Sequence, residues 1–409
     1  MRAKERKEAC LRYGGIMKKK SVLAVAGALL AAVCAASLAG CYATVRVPHS
    51  HYAEAQSTLI NPEADACAVE LMNYLKSVYG KKVISGQYVN EYEDYRSAQF
   101  KADPSDPDSP STVFRLNELQ AVRGVTGEYP AMLGLDVSGI ECGETCYSIE
   151  QALEWHEAGG IVTLCWHWKV DNFDGKPRAF YSEQTDFSLA KALGDKDGKH
   201  YKGLIADIDA VSEALQPLRE AGVPVLWRPL HEASGGWFWW GASGRDAYVE
   251  LWNIVYERMT EVHGLNNLIW VYNGQNTSWY VGDDRCDIIG DDPYYDFNSR
   301  EEYEKNPSNA ARFKMNYKTS GNKMIMMSEN DFVFDIDAAF EENTRWLSFC
   351  TWCREFVCVY EPDESGENRT YPVYSAMCSS AEELRAAYLN ERTVTLSRLT
   401  ESGDYNPVR

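Results

Sequence analysis

The chain has 409 residues, 45% hydrophobic and 25% charged, with 29 Gly and 15 Pro, a balance that excludes whole-chain disorder and fits one large domain of barrel size. Its formal net charge is −19, which excludes a nucleic acid partner, because a phosphate backbone demands a basic surface. Twelve Trp and 25 Tyr exceed what packing alone requires and point to an aromatic-lined cleft.

In chain order, Lys18-Lys19-Lys20 precedes an uncharged stretch over residues 22–40, the basic n-region and apolar h-region of an export signal. Met17 reads as its start. Leu38-Ala39-Gly40-Cys41 resembles the bacterial lipobox, which implies cleavage before Cys41 and lipidation of its sulfur. Residues 1–40 are therefore expected to be removed, 41–60 to be a tether, and 61–409 to be the single folded domain that carries the function. The expected location is outside the cytoplasm, with the lipid as the sole membrane contact. Tyr42, where an Asp often retains lipoproteins at an inner membrane, hints at the outer membrane or cell surface. Residues 1–40 carry far more bases than acids, so the remainder is more acidic than the whole.

Beyond the tether, short β-branched apolar runs alternate with longer stretches of helical spacing. The runs are Val83-Ile84-Ser85-Gly86-Gln87 and residues 131–137, 161–168, 223–232, 267–273, 287–294, 323–329 and 346–352. Predicted helices cover 62–79, 148–158, 204–221 (with Pro217 inside), 246–263 and 381–390. In the fourth, Tyr248, Leu251, Trp252, Val255, Tyr256, Met259 and Val262 fall on one face, and Gly264 follows as a C-cap. Eight nearly continuous apolar strands alternating with helices predict parallel strands covered on the outside, and hence a single (β/α)8 barrel. The fifth-to-sixth and seventh-to-eighth intervals are too short for a full helix.

In such a barrel, reactive groups sit where strands end, at the carboxyl face. Here those ends carry Trp166-His167-Trp168, His231-Glu232, Asp291-Asp292-Pro293-Tyr294-Tyr295, Ser328-Glu329-Asn330-Asp331 and Trp352. Turn formers would suffice for structure alone. Glu232 and Glu329, each projecting from a buried strand into one mouth, have the pairing that glycoside hydrolysis needs: one carboxylic acid protonates the departing oxygen while an ionised carboxylate attacks the anomeric carbon or activates a water. Gly235-Gly236-Trp237-Phe238-Trp239-Trp240-Gly241 follows directly, and indole faces suit the C–H face of a sugar ring. Trp237, nearest the Glu, is the candidate platform, and at least one of the other rings is expected only to plug the loop against the barrel.

Trp227-Arg228-Pro229-Leu230-His231-Glu232, with Gly236-Trp237-Phe238-Trp239-Trp240-Gly241, closely resembles the acid/base segment of the family 26 glycoside hydrolases, mostly endo-β-1,4-mannanases. Residues 161–168, Asp287-Ile288-Ile289-Gly290 leading to Asp292-Pro293-Tyr294, and Met326-Met327-Ser328-Glu329 extend the resemblance across about residues 83–356. It implies a (β/α)8 fold and hydrolysis of β-mannan or mannooligosaccharides with retention, Glu232 serving as acid/base and Glu329 as nucleophile. It also implies sugar-binding or supporting roles for His167, Arg228, His231, Trp237, Asp292, Tyr294 and Trp352. Physical reasoning agrees at several of these positions. Arg228 inside a strand needs a carboxylate partner, for which Glu329 is the natural candidate, and the Tyr294 hydroxyl could donate to Glu329.

Within the same chemistry, mixed-linkage β-glucan, β-1,3-xylan and exo-acting release of mannobiose remain alternatives, as does a non-catalytic surface glycan-binding lipoprotein. Residues 173–199, long and polar, and the loop 142–148 are the candidate walls that decide whether the cleft is open. No cofactor is expected, and no metal, because His231-Glu232 has no second His four residues on. Cys142 and Cys146 could bridge a loop, whereas Cys350 and Cys353, in an apolar aromatic run, read as buried thiols. The chain is expected to act as a monomer.

Overall fold

A computed structural model of the chain describes residues 42, 44–90, 112–173, 175–295, 300–362 and 369–405. The export-type segment and Cys41 lie outside the described residues. Eight parallel strands form the ring: β1 (Val83–Tyr88), β2 (Met132–Asp136), β3 (Ile161–Trp166), β4 (Val225–Pro229), β5 (Leu268–Tyr272), β6 (Ile288–Asp291), β7 (Met324–Met327) and β8 (Ser348–Thr351). Each pairs with the next from β1 to β7, and β8 pairs with β1. A parallel bridge between Asn330 and Thr351 joins β7 to β8 and closes the barrel.

All eight predicted runs are strands, and the last residues of most runs leave the ladder. Those departing residues are the ones that carry the site. All eight strands are buried along their whole length, as strands covered by helices outside and by side chains inside must be. Alternation sorts the two faces. Val225 and Trp227 pack in one cluster with Ile208, Val211 and Leu251 of the surrounding helices. Leu226 belongs to the other cluster, with Cys165 and Ile269. Arg228 shares the parity of Leu226 and so points into the barrel.

The helix Arg245–Glu257 runs on into a wider-turned segment, Arg258–Val262, and Gly264 follows in the left-handed region at φ +63°, where glycine avoids the Cβ penalty. Lys199–Glu220 starts five residues before its predicted beginning and contains Pro217 in its last turn. Between β5 and β6 there is a single 3-10 turn, Thr277–Trp279, and between β7 and β8 the six-residue helix Ile336–Glu341. Past β8 lie an antiparallel hairpin, β9 (Cys358–Pro362) with β10 (Arg369–Tyr374), and β11 (Thr393–Val394), which adds to β1.

Two expectations are corrected. The second half of the supposed tether is part of the barrel: Ser50–Glu54 is helical with His51 and Tyr52 buried, His51 Nε2 lies 2.8 Å from the Tyr79 hydroxyl, and the Tyr52 hydroxyl donates to Asn343 O at 2.9 Å. Aromatic burial and these bonds outweigh the entropy of leaving the segment loose. Cys142 is a free thiol, so the suggested bridge to Cys146 is absent; Cys146 instead donates to Ser148 Oγ at 3.3 Å.

Candidate active site

At the carboxyl end of the barrel, a fully buried arginine organises the floor. Arg228 Nη1 donates to Asp292 Oδ2 at 2.8 Å, and Nη2 donates to the Tyr88 hydroxyl at 3.1 Å. Nη2 also donates to Glu329 Oε1. A guanidinium taken out of water needs such partners, and here two carboxylates supply them. Burial works against the charge of Arg228, but Asp292, Tyr88 and Glu329 raise its pKa well above the ordinary value.

Glu329 stands two residues past β7 and is 4% exposed. Its other oxygen, Oε2, accepts from the Tyr294 hydroxyl at 2.7 Å. Burial, reinforced by the negative charges of Glu329, Glu232 and Asp292, keeps that phenol protonated and a donor. The Glu329 carboxyl is thus fixed by a guanidinium on one oxygen and a hydroxyl on the other.

Glu232 is held differently. The strand ends at Pro229, and the chain then turns through Leu230 at φ 53° and Glu232 at φ 55°, left-handed values that cost a non-glycine residue about 1–3 kcal/mol and concentrate at functional sites. The amide of Glu232 donates to Asn273 O at 2.7 Å, which fixes the turn against the end of β5. Its carboxyl accepts from the Trp237 indole N–H at 2.8 Å and from Gln275 Nε2 at 3.1 Å. Burial and the nearby charge of Glu329 push its pKa up to about 7, against the indole hydrogen bond and the positive charges of Arg228 and His167. Gln275 also reaches Asp292 O at 3.4 Å, so a continuous chain of contacts runs from Glu232 through Gln275, Asp292 and Arg228 to Glu329. The two acids face one mouth.

Of the four rings after Glu232, only Trp237 is exposed, at 43%, while Phe238, Trp239 and Trp240 are buried. Trp239 donates to Trp168 O and Trp240 to His231 O, which makes three of the four rings plugs. His167 projects inward between the buried Trp166 and Trp168; its Nδ1 meets Asp136 Oδ2 at 2.5 Å and its Nε2 meets His231 Nε2 at 3.2 Å. Trp352 lies 4.7 Å from the Tyr88 ring and 5.8 Å from the His167 ring. Asp292 faces the floor, whereas Asp291 faces outward to Arg312 at 2.9 Å and Asn316 at 2.9 Å.

All nine sequence-selected side chains therefore meet around one cleft. Four further residues join them. Tyr88 lies one residue past its predicted run, and Gln275 two past the fifth. Asp136 stood inside an apolar run, where a lone carboxylate was itself the signal. Tyr181, from the wall segment, stacks on Phe238 at 5.5 Å. That wall is tied to the Trp237 loop through Ser182 N to Trp237 O at 2.7 Å and Trp239 N to Phe180 O at 3.1 Å.

Asp136, Cys165 and His167 bring three potential metal-ligating atoms within 4.8 Å of one another. Both Asp136 oxygens are already engaged, Oδ2 by His167 and Oδ1 by the amides of Ser138 and His167. The cluster is a hydrogen-bonded dyad in this structure.

A (β/α)8 barrel with two glutamates converging at its carboxyl face has the architecture of a glycoside hydrolase. Residues 60–364 match the model of glycosyl hydrolase family 26, and the chain belongs to that family. It is 34% identical over 353 residues to a mannan endo-1,4-β-mannosidase of Thermothelomyces thermophilus, covering 84% of this chain and 63% of that protein. It is 34% identical over 314 residues to mannan endo-1,4-β-mannosidase A of a Piromyces species, covering 73% and 46%. The chain thus spans less than two thirds of the length of these relatives. Among solved structures, a Podospora anserina GH26-CBM35 β-(1,4)-mannanase superposes with a TM-score of 0.67 at 33% identity, covering 88% of this chain and 71% of that one. A β-mannanase from a symbiotic protist of the termite Reticulitermes speratus, complexed with a gluco-manno-oligosaccharide, gives 0.64 at 28%, covering 85% and 98%.

Proposed function

We propose that the chain is a retaining endo-β-1,4-mannanase that cuts β-mannan, galactomannan or glucomannan by double displacement. Glu329 attacks the anomeric carbon and forms a glycosyl-enzyme intermediate, while Glu232 gives its proton to the leaving sugar oxygen. Glu232, now ionised, then takes a proton from the water that releases the product. One observation carries the reading: two facing carboxyl groups live in opposite surroundings, one gripped by a cation and a phenol, the other pushed up to about 7. That divergence supports Glu329 as nucleophile and Glu232 as acid.

Trp237 supplies a stacking face at the acid. His167, His231, Arg228, Asp292, Tyr294 and Trp352 shape and hold the floor of the sugar site. Asp292 Oδ1 is buried with no hydrogen-bond partner among the described residues, and a sugar hydroxyl would satisfy it. The names of the relatives favour mannan over mixed-linkage glucan or β-1,3-xylan. Reducing-sugar release from the three polysaccharides tests this: mannan cut fastest into mixed oligosaccharides supports the reading, mannobiose alone makes the enzyme exo-acting, and binding without release makes it a glycan-binding protein. Glu329→Ala should lower kcat by roughly 10⁴-fold or more, and near-normal turnover would reject the assignment.

The lipobox-like Leu38-Ala39-Gly40-Cys41 supports export and a lipid anchor at Cys41, so the enzyme would act at the outer membrane or cell surface on a polymer too large to import. Radiolabelled palmitate should mark the wild type and not Cys41→Ser. Equal labelling would exclude that site.

A further inference from the structure

The double displacement leaves one ionisable pair in the site unused. Asp136, the last residue of β2, accepts on both oxygens: Oδ2 from His167 Nδ1 at 2.5 Å, and Oδ1 from the amides of Ser138 at 3.0 Å and His167 at 3.1 Å. A side-chain amide at this position would turn an NH2 group toward one of these donors, so only a carboxylate fits all three. The bonds fix the His167 ring and aim its Nε2 at His231 Nε2, 3.2 Å away. Two ring nitrogens at that separation share one proton, so one ring donates and the other accepts.

The surroundings decide the direction. Burial, with the charges of Arg228 and His167, lowers the pKa of the enclosed His231 well below the usual value, so the neutral ring accepts at Nε2 and carries its own hydrogen on Nδ1, which has no partner among the described residues. For His167, burial favours the neutral ring, but the charge and hydrogen bond of Asp136, aided by Glu329 and opposed by Arg228, carry its pKa above the usual value. The other groups around it are Cys165 of β3 and the uncharged rings of Phe180, Phe238 and Trp352.

We propose that Asp136 is a positioning residue for the reaction, holding His167 in one orientation as an imidazolium that donates to His231 and whose charge bears on Glu232. It rests on the reading of Glu232 as the proton donor. The charge of His167 opposes the rise that burial and Glu329 impose on the Glu232 carboxyl. Without it, Glu232 would hold its proton more tightly and be a weaker acid.

The experiment compares kcat/KM against pH on mannotetraose for the wild type, Asp136→Asn and His167→Gln. In both variants the high-pH limb should move upward by about half a unit, with kcat reduced. A lower kcat with the limb unmoved would overturn the proposal, because a merely structural role predicts that pattern. In wild-type protein, 15N-histidine NMR at pH 6, assigned through His167→Gln, should show His167 protonated on both nitrogens and His231 on one. A neutral His167 at pH 6 would overturn it without reference to turnover. If the wild type hydrolyses no glycan, the functional reading fails, and the Glu232 titration followed by 13C NMR in the same variants still decides whether Asp136 and His167 act on that carboxyl.

Discussion

The two glutamates differ most in what surrounds them. Glu329 lies on the floor, where Arg228, Tyr88, Asp292 and Tyr294 form a closed network rooted in β1, β4 and the segments after β6 and β7. Glu232 sits on a left-handed turn and is bonded to an exposed indole and to Gln275, which is itself at φ 55°. On the floor one buried guanidinium is shared by two acids, whereas the rim around Glu232 opens to solvent at Trp237. A nucleophile needs a fixed position and a settled charge, while a group that gives up and regains a proton in each cycle needs a balance that lies close to the working pH. The buried ion pairs of the floor are better explained by this positioning than by stability, since such pairs commonly cost as much as they return.

The sharpest way to break the comparison is at Arg228. Arg228→Ala strands two carboxylates in the barrel, and should cost about 3–5 kcal/mol of stability together with nearly all turnover; thermal unfolding and initial rates measure both. Unchanged unfolding would mean that the floor is not a charge network. Arg228→Lys, a point charge without the fork that spans Asp292 and Glu329, should fall between. Tyr294→Phe removes one donor from Glu329 and should lower kcat roughly 10–100-fold, the worth of a hydrogen bond to a charged group, with the fold intact by circular dichroism. A change below twofold would remove the phenol from the account.

The smallest expected effect lies on the rim. With Glu232 as the proposed proton donor and its pKa pushed up to about 7, activity should fall as pH rises through that value. Trp237→Phe takes away an indole N–H that lowers this pKa, so the high-pH limb should move upward while KM for mannooligosaccharides rises a few-fold. A downward shift would contradict the hydrogen bond.

Much of the floor was legible in the sequence because strand ends announce themselves. Apolar runs closing on His231-Glu232 or Ser328-Glu329 place their acids at one mouth once the runs are taken as parallel strands. What escaped depends on backbone geometry that apolar periodicity does not encode. Gln275 reaches Glu232 only because the chain after Asn273 turns through the left-handed region. Tyr181 becomes a wall because residues 180–182 bond along the Trp237 loop. The pairing of β9 with β10 shifts register between Arg369 and Tyr371, and the docked helix Ser50–Glu54 owes its place to contacts with residues almost 300 positions away, such as Asn343. Asp136 was visible as a carboxylate within Leu133-Gly134-Leu135-Asp136-Val137, and only the coordinates give it a partner.

The most direct test of the central claim is to trap the intermediate. In Glu232→Ala, a dinitrophenyl β-mannobioside supplies a leaving group that needs no proton, so the first step should proceed while the second stalls. Peptide mass spectrometry should then find a mannobiosyl ester on Glu329. A label on any other residue, or release of dinitrophenol with no ester at all, would contradict the account.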